Sequence, residues 1–145
     1  MIAVQSKIFD PGAELNLFMK GRTDKGAVVS FTGHVRGGGD VTALELEHYP
    51  GYTEAEIEKI EASALLKWPG IESRIIHRFG KLHPGEPIVF VAVCAAHRKD
   101  AFEAASFLMD YLKTGAPFWK KEIRAGQEVW IEPKATDYAA RRGWD

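Results

Sequence analysis

The chain has 145 residues, of which 46% are hydrophobic and 11% aromatic, which is enough for one packed core and predicts a single domain over residues 1–145. With 19 basic and 20 acidic side chains the formal charge is -1, so no positive field favours nucleic acid or a membrane surface as a partner. The only cysteine, Cys94, lies in an apolar run, which excludes an internal disulfide. No secretory leader or apolar stretch of roughly 20 residues is evident, so we expect a cytoplasmic protein.

The first part of the chain predicts a strand, a short helix and two more strands. Asp10 before Pro11 has the pattern of an N-cap followed by proline at the first helical position. The β-branched segment 26–33 predicts a strand buried on both faces. A glycine loop at 37–39 then leads to a half-buried strand over 42–49, in which leucines alternate with glutamates.

The remaining elements follow from helical periods and turn signals. Thr53 to Glu56 has the spacing of a capping box, and apolar residues continue at helical spacing until Pro69. A further helix is expected from Asp100 to Gly115. Four more strands are predicted, at 73–79, 87–96, 118–123 and 128–131.

This order of elements predicts an α+β fold. Strands that are adjacent in sequence and joined by short turns favour mixed, largely antiparallel sheets, accompanied by about three helices. The polar residues 137–145 are expected to be a mobile tail or an arm that contacts a partner.

Two lysines flank the helix-stopping sequence Gly115-Ala116-Pro117. Lys113 falls at the border of the buried stripe of the predicted helix, and Lys120 lies near the start of the next strand. A chain reversal between them could bring two ammonium groups toward one anionic ligand. Alternatively, Lys113 only complements the helix macrodipole, and Lys120 forms a surface ion pair.

A second cationic pattern lies between a strand and a helix. His97 and Arg98 occupy the position where anions meet helical N–H groups, which suggests a phosphate clamp. Arg36, beside the glycine loop, is a weaker candidate of the same kind. A surface arginine and a histidine bonded to backbone explain the pattern equally well. The five histidines and one cysteine lack metal-ligand spacing, so no metal is expected.

Several segments between about residues 26 and 132 resemble the catalytic, large subunit of molybdopterin synthase. They are Phe31–Arg36, Leu46–Gly51, His77–Leu82, His97-Arg98 with Ala101-Phe102, and Met109–Glu122. The resemblance implies an α/β-hammerhead-like fold and a homodimer that becomes a heterotetramer with two small ubiquitin-like subunits. It also implies that the C-terminal Gly-Gly thiocarboxylate of the small subunit delivers sulfur to cyclic pyranopterin monophosphate, which makes the molybdopterin dithiolene without a resident cofactor.

The resemblance also assigns roles to residues of this chain. Lys113 and Lys120 match the family's essential lysines. We expect Lys113 to transfer protons, because desolvation at the helix border or a neighbouring cation could lower its pKa. The residues that match the family's substrate-anion pocket are Arg36, His97 and Arg98. Beside these positions lie His34, Val35, Lys121 and Glu122, which complete the predicted substrate site. The plain glycine loop 37–39, and Tyr52 where methionine is frequent, depart from the family pattern.

Two alternatives remain open at this point. The segment Gly33–Gly39 is similar to the phosphate loop of acylphosphatases, although the aromatic-arginine pair that continues such loops is absent. A non-catalytic scaffold could also bind a ubiquitin-like protein through the same basic residues.

Overall fold

The structure is a computed structural model that describes residues 1–145. It contains eight strands and four helices. The strands are β1 (Ile2–Gln5), β2 (Ala27–His34), β3 (Val41–His48), β4 (Glu72–Arg78), β5 (Gly80–Leu82), β6 (Pro87–Ala95), β7 (Phe118–Arg124) and β8 (Gln127–Ile131). The helices are α1 (Pro11–Met19), α2 (Tyr52–Lys67), α3 (Arg98–Gly115) and α4 (Ala135–Arg142). None of these helices is both long and apolar enough to cross a membrane.

The strands form two four-stranded sheets. The first has the order β1-β4-β6-β2, in which only the β1–β4 pair is parallel. The second has the order β5-β3-β7-β8 and is antiparallel throughout. The predicted α+β fold with mixed, largely antiparallel sheets is confirmed, and the helix count is four rather than about three.

The main core lies between the first sheet and helices α2 and α3. The alternation of β6 sends Val91 and Val93 to this side, where they pack with Leu108 of α3. The opposite face of the sheet is covered by α1, whose Phe18 packs against Phe90. Because β6 is central and covered on both sides, nearly all its residues are buried.

Strand β2 was predicted to be buried on both faces, and this is wrong. It lies at the edge of the first sheet with β6 as its only neighbour. Phe31 is consequently 43% exposed. The apolar, β-branched composition of the segment indicates a strand but does not distinguish an edge from a centre.

The N-cap of helix α2 lies two residues before the predicted one. Gly51 occupies the N-cap position with a φ of +84°, and Glu54 accepts a hydrogen bond from its N–H at 3.1 Å. Thr53 is therefore inside the helix and fully buried. Its hydroxyl accepts from the N–H of Tyr49 at 2.9 Å and donates to the carbonyl of Pro117 at 3.1 Å, which ties the start of α2 to the corner after α3.

The C-terminal residues form α4 where the sequence suggested a mobile tail or arm. Trp144, just beyond the helix, stands edge-on to Trp68 and Phe107, with ring centroids 5.8 and 5.5 Å away. Its indole N–H donates to Asp110 at 2.7 Å. Trp144 thus holds the polar C-terminal segment against α3.

Candidate active site

A cavity of about 450 Å³ lies where the two sheets meet the end of α3. Its wall is made by the end of β2, the starts of β6 and β7, the corner after α3, and the segment from the end of β8 into α4. Lys113, Lys120, His34 and His77 all line it among apolar side chains. The arrangement suits a ligand that has a negatively charged end and an apolar or planar body.

The corner between α3 and β7 brings the two predicted lysines to this cavity. Lys113 lies in the last turn of α3, and Lys120 lies two residues beyond Phe118 on the same face of β7. Burial lowers the pKa of Lys120 below its ordinary value, and the positive charge of Lys113 lowers it further. The two cations therefore act on one another, and an anion bound between them would relieve the repulsion.

The desolvated lysine is Lys120 rather than Lys113. Desolvation at the edge of the helix was one of two reasons to expect Lys113 to transfer the proton, but this residue is exposed. Lys120 is partly buried and makes no ion pair, so the alternative of a surface ion pair does not describe it. Strand alternation places Lys120 on the same face of β7 as Phe118, and both side chains line the cavity.

His77 is a cavity residue to which the sequence analysis gave no role of its own. It is 9% exposed, and its Nδ1 lies 2.9 Å from the carbonyl oxygen of Arg78. Burial lowers the pKa of His77 to about 4, with smaller contributions from the charges of Lys120 and Lys113. His77 lies two residues after the buried Ile75, so strand alternation places both side chains on the same face, toward α3. This spacing is the sequence signal that could have indicated the position of His77.

The predicted phosphate clamp does not join the lysines within one chain. His97 is the N-cap of α3 and Arg98 its first residue, whereas Lys113 is in the last turn. Fifteen residues separate Arg98 from Lys113, so they lie about 22 Å apart along the axis at roughly 1.5 Å per residue. Arg36 is exposed just beyond β2, whose end pairs with the start of β6, and it therefore lies at the lysine end of the sheet.

The residues beside the predicted anion pocket divide between the cavity and other surroundings. His34 lines the cavity. Val35 is buried in a small core cluster with Leu44, Leu46 and Leu82, so its side chain is structural. Its backbone N–H donates to the carbonyl of Glu86.

Lys121 and Glu122 are engaged in ion pairs outside the cavity. The ammonium of Lys121 is 3.2 Å from Glu128 and 3.8 Å from Glu45, and the hydrogen bond with Glu128 raises the pKa of Lys121. Glu122 accepts a hydrogen bond from Arg124 at 2.6 Å. Strand alternation turns Lys121 to the face opposite Lys120, which accounts for the different surroundings of two adjacent lysines.

The sequence of the chain places it among known proteins. A family profile described as MoaE protein matches residues 4–115. The chain belongs to the MoaE protein family. A relative from Pseudomonas aeruginosa, named molybdopterin synthase catalytic subunit, is 50% identical over 147 residues, which cover 99% of this chain and 98% of the relative.

Solved structures of the MoaE family and of similar fold agree with this assignment. The molybdopterin biosynthesis MoaE protein from Burkholderia ambifaria has a TM-score of 0.86 and 48% identity, covering 99% of this chain and 97% of its own. A complex of subunits 1 and 2 of the molybdopterin-converting factor from Helicobacter pylori has a TM-score of 0.79, covering 92% of this chain and 91% of its own. At 20% identity this match shows the fold alone. The resemblance drawn from the motifs, to the catalytic, large subunit of molybdopterin synthase, is confirmed.

Membership of the MoaE family leaves the acylphosphatase alternative without support. In the structure, the segment 33–39 consists of the end of β2 and part of the connection to β3. The aromatic-arginine pair that continues an acylphosphatase loop is absent from the sequence that follows it.

The last wall of the cavity comes from the C-terminal segment, which the sequence analysis left out of the site. The residues that contribute are Ile131, Glu132, Pro133, Lys134, Asp137 and Tyr138. Asp137 partly offsets the lowering of the pKa of Lys120. The docking of α4 through Trp144 thus helps to enclose the cavity around Lys120.

Proposed function

We propose that this chain is a catalytic subunit that transfers sulfur from the C-terminal thiocarboxylate of a small ubiquitin-like protein to cyclic pyranopterin monophosphate. Two rounds of transfer make the dithiolene of molybdopterin. The observation that carries the proposal is the cavity in which Lys113 and the desolvated Lys120 face one ligand space. Relatives of the MoaE family that carry the name molybdopterin synthase catalytic subunit support it.

The shape and lining of the cavity suit the tail of such a partner. A Gly-Gly terminus has no side chains, so it can enter a narrow space between apolar residues such as Leu46, Ile88 and Met109. Its thiocarboxylate is an anion, which the two ammonium groups neutralise as water is excluded. The name catalytic subunit, given to the Pseudomonas aeruginosa relative, fits a division of labour with a second subunit.

The two lysines have different parts in the transfer. In each round, the C–S bond of the tail and a C–O bond of the pterin side chain break and a new C–S bond forms on the pterin. The tail leaves as an ordinary carboxylate, whose new oxygen comes from the displaced substituent or, where that substituent stays on the phosphate, from water. Lys113, at the exposed end of α3, holds negative charge on the substrate and on the oxyanions that form. Lys120 moves the proton, because its lowered pKa lets it release and recover a proton closer to neutral pH than an ordinary lysine.

The phosphate of the substrate requires additional positive charge, which we assign to Arg36, His97 and Arg98. Since Arg98 lies about 22 Å from Lys113 along α3 of the same chain, His97 and Arg98 would serve the cavity of a second copy. A homodimer that binds two small subunits, a heterotetramer, satisfies this requirement. We place the reaction in the cytoplasm, where the buried free thiol of Cys94 is stable.

A reconstituted reaction tests the proposal. The purified chain is mixed with cyclic pyranopterin monophosphate and the small subunit in its thiocarboxylated form, and molybdopterin is measured. We expect product with this form and none with the same small subunit carrying an ordinary carboxylate. Absence of product from the complete mixture contradicts the proposed function.

A double variant separates the enzyme from the scaffold alternative. With Lys113→Ala and Lys120→Ala together, an enzyme keeps its small subunit but loses product. A scaffold keeps both its partner and its effect in cells that lack the native protein. Co-purification and molybdopterin content, measured on the same variant, decide between the two.

A further inference from the structure

His77 presents an unused hydrogen-bond acceptor to the cavity. Its Nδ1 lies 2.9 Å from the carbonyl oxygen of Arg78, and because a carbonyl only accepts, Nδ1 must carry the proton. The neutral ring then has a lone pair on Nε2. No protein group donates a hydrogen bond to Nε2. The only fully buried side-chain nitrogen or oxygen atom without a hydrogen-bond partner is Glu54 Oε1. Nε2 is therefore not fully buried, and it is accessible from the cavity that His77 lines.

The ring is held by an aromatic stack and lies between two neighbouring strands. It stacks on Phe118 with centroids 3.9 Å apart and planes inclined by 16°. Its neighbours within the sheet are Val4 on β1 and Val89 on β6, neither of which can form a side-chain hydrogen bond. The acceptor is therefore held in place before any ligand arrives.

The surrounding charges keep the imidazole neutral. Titratable groups that share the cavity are Lys113 on α3, Lys120 on β7, His34 on β2, and Glu132, Lys134, Asp137 and Tyr138 from the C-terminal segment. Burial and the charges of Lys120 and Lys113 all disfavour a proton on Nε2. A neutral acceptor beside two cations is complementary to a ligand that combines negative charge with an uncharged N–H or O–H donor.

We propose that Nε2 of His77 accepts a hydrogen bond from an N–H or O–H group of the pterin substrate, and so fixes the orientation of a molecule that the lysines hold by charge. This inference rests on the proposed function. The thiocarboxylate group itself offers acceptors only, and the other donors that can enter the cavity are the backbone N–H groups of the Gly-Gly tail. We assign the donor to the pterin, and the carboxylate form of the small subunit tests the tail as the other source.

The direct test is nitrogen NMR of the protein labelled with ¹⁵N-histidine, and the His77→Gln variant identifies the resonances. In the free protein we expect Nδ1 to be protonated and Nε2 unprotonated. Cyclic pyranopterin monophosphate, added without a sulfur donor, should shift Nε2 toward the hydrogen-bonded position. An unchanged Nε2 resonance at a pterin concentration that calorimetry shows to be saturating overturns the inference, as does an equal shift caused by the carboxylate form of the small subunit alone.

Matched variants provide a functional test. In His77→Gln the amide oxygen keeps an acceptor near the position of Nε2, whereas His77→Asn keeps a donor toward Arg78 and loses that acceptor. We expect the Asn variant to raise the KM for the pterin roughly 10-fold, and the Gln variant to remain within roughly 3-fold of the native KM. Equal KM values for the two variants, both shown to be folded by their thermal transitions, contradict the acceptor role.

The two proposals fail in different ways. If the native protein makes no product and binds no pterin, the proposed function fails. If the native protein binds pterin and makes product, but the Nε2 resonance does not shift and the two variants have equal KM values, only the role of His77 fails.

Discussion

The imidazole of His77 stacks on the phenyl ring of Phe118, with centroids 3.9 Å apart and planes inclined by 16°. His77 belongs to β4 of the first sheet and Phe118 to β7 of the second, so the stack joins the two sheets at the cavity. A second stack, between His48 and Phe79, has centroids 3.8 Å apart. Since Lys120 shares the face of Phe118, its position depends on this contact between the sheets.

Acidification should destabilise the fold through His77. Its pKa falls from 6.5 to about 4 on folding, so between these values the unfolded chain binds a proton that the folded chain does not. The free energy of unfolding therefore decreases as pH falls through this window, by about 3 kcal/mol from this residue. His77→Gln removes the titration, and urea unfolding at neutral pH and near pH 4 should show a smaller loss for the variant. Parallel pH dependences in the two proteins would contradict the buried, neutral state of His77.

Lys113→Ala should change both substrate binding and the titration of Lys120. Loss of one cation weakens attraction for the anionic substrate, so we expect KM to rise roughly 10-fold. The same change removes a positive neighbour that lowers the pKa of Lys120, so this pKa rises and the alkaline increase of kcat/KM moves to higher pH. The pH profile of product formation measures the shift. A shift toward lower pH would show that the two lysines do not interact as described.

Thr53→Val should destabilise the corner that carries the lysines. Valine keeps the shape but leaves the N–H of Tyr49 and the carbonyl of Pro117 without their partner, at a cost of about 1–3 kcal/mol. Thr42→Val is the matched control, because the Thr42 hydroxyl donates to the carbonyl of Ile123 at an exposed position. There we expect a change below about 0.5 kcal/mol, since water replaces the lost bond. Denaturant unfolding compares the two, and equal losses would contradict the structural role of Thr53.

The order of helices and strands was predictable where local signals were strong. The Asp10 cap is confirmed, since its carboxylate accepts from the N–H groups of Gly12 and Ala13 at 2.9 and 3.2 Å. The three-residue strand β5 was missed because its residues lie in a turn-rich segment and pair only with β3. Helix α4 was missed because its own residues are polar, and its docking depends on Trp144 beyond its end.

The lysine corner was predictable from the helix stop at Gly115, but the environment of each lysine was not. Whether a residue at a helix border is desolvated depends on what packs against it, and Lys113 is exposed. Lys120 is desolvated within a cavity whose walls come from segments distant in sequence. His77 and the C-terminal segment join this cavity only through the tertiary fold, so local sequence patterns do not show that they belong to the site. A clamp formed by His97 and Arg98 needs a second chain, which no local pattern reveals.

The two adjacent lysines of β7 give the most direct test of the central claim, that Lys120 performs the proton transfer in this cavity. Lys120→Ala should lower the rate of molybdopterin formation by at least about 100-fold while the small subunit still binds. Lys121→Ala removes the same charge from the opposite face, where the side chain is paired with Glu45 and Glu128, and should stay within about 2-fold of the native rate. The measurement is single-turnover product formation with saturating thiocarboxylated small subunit. Equal rates for the two variants, or a larger loss in Lys121→Ala, would contradict the account.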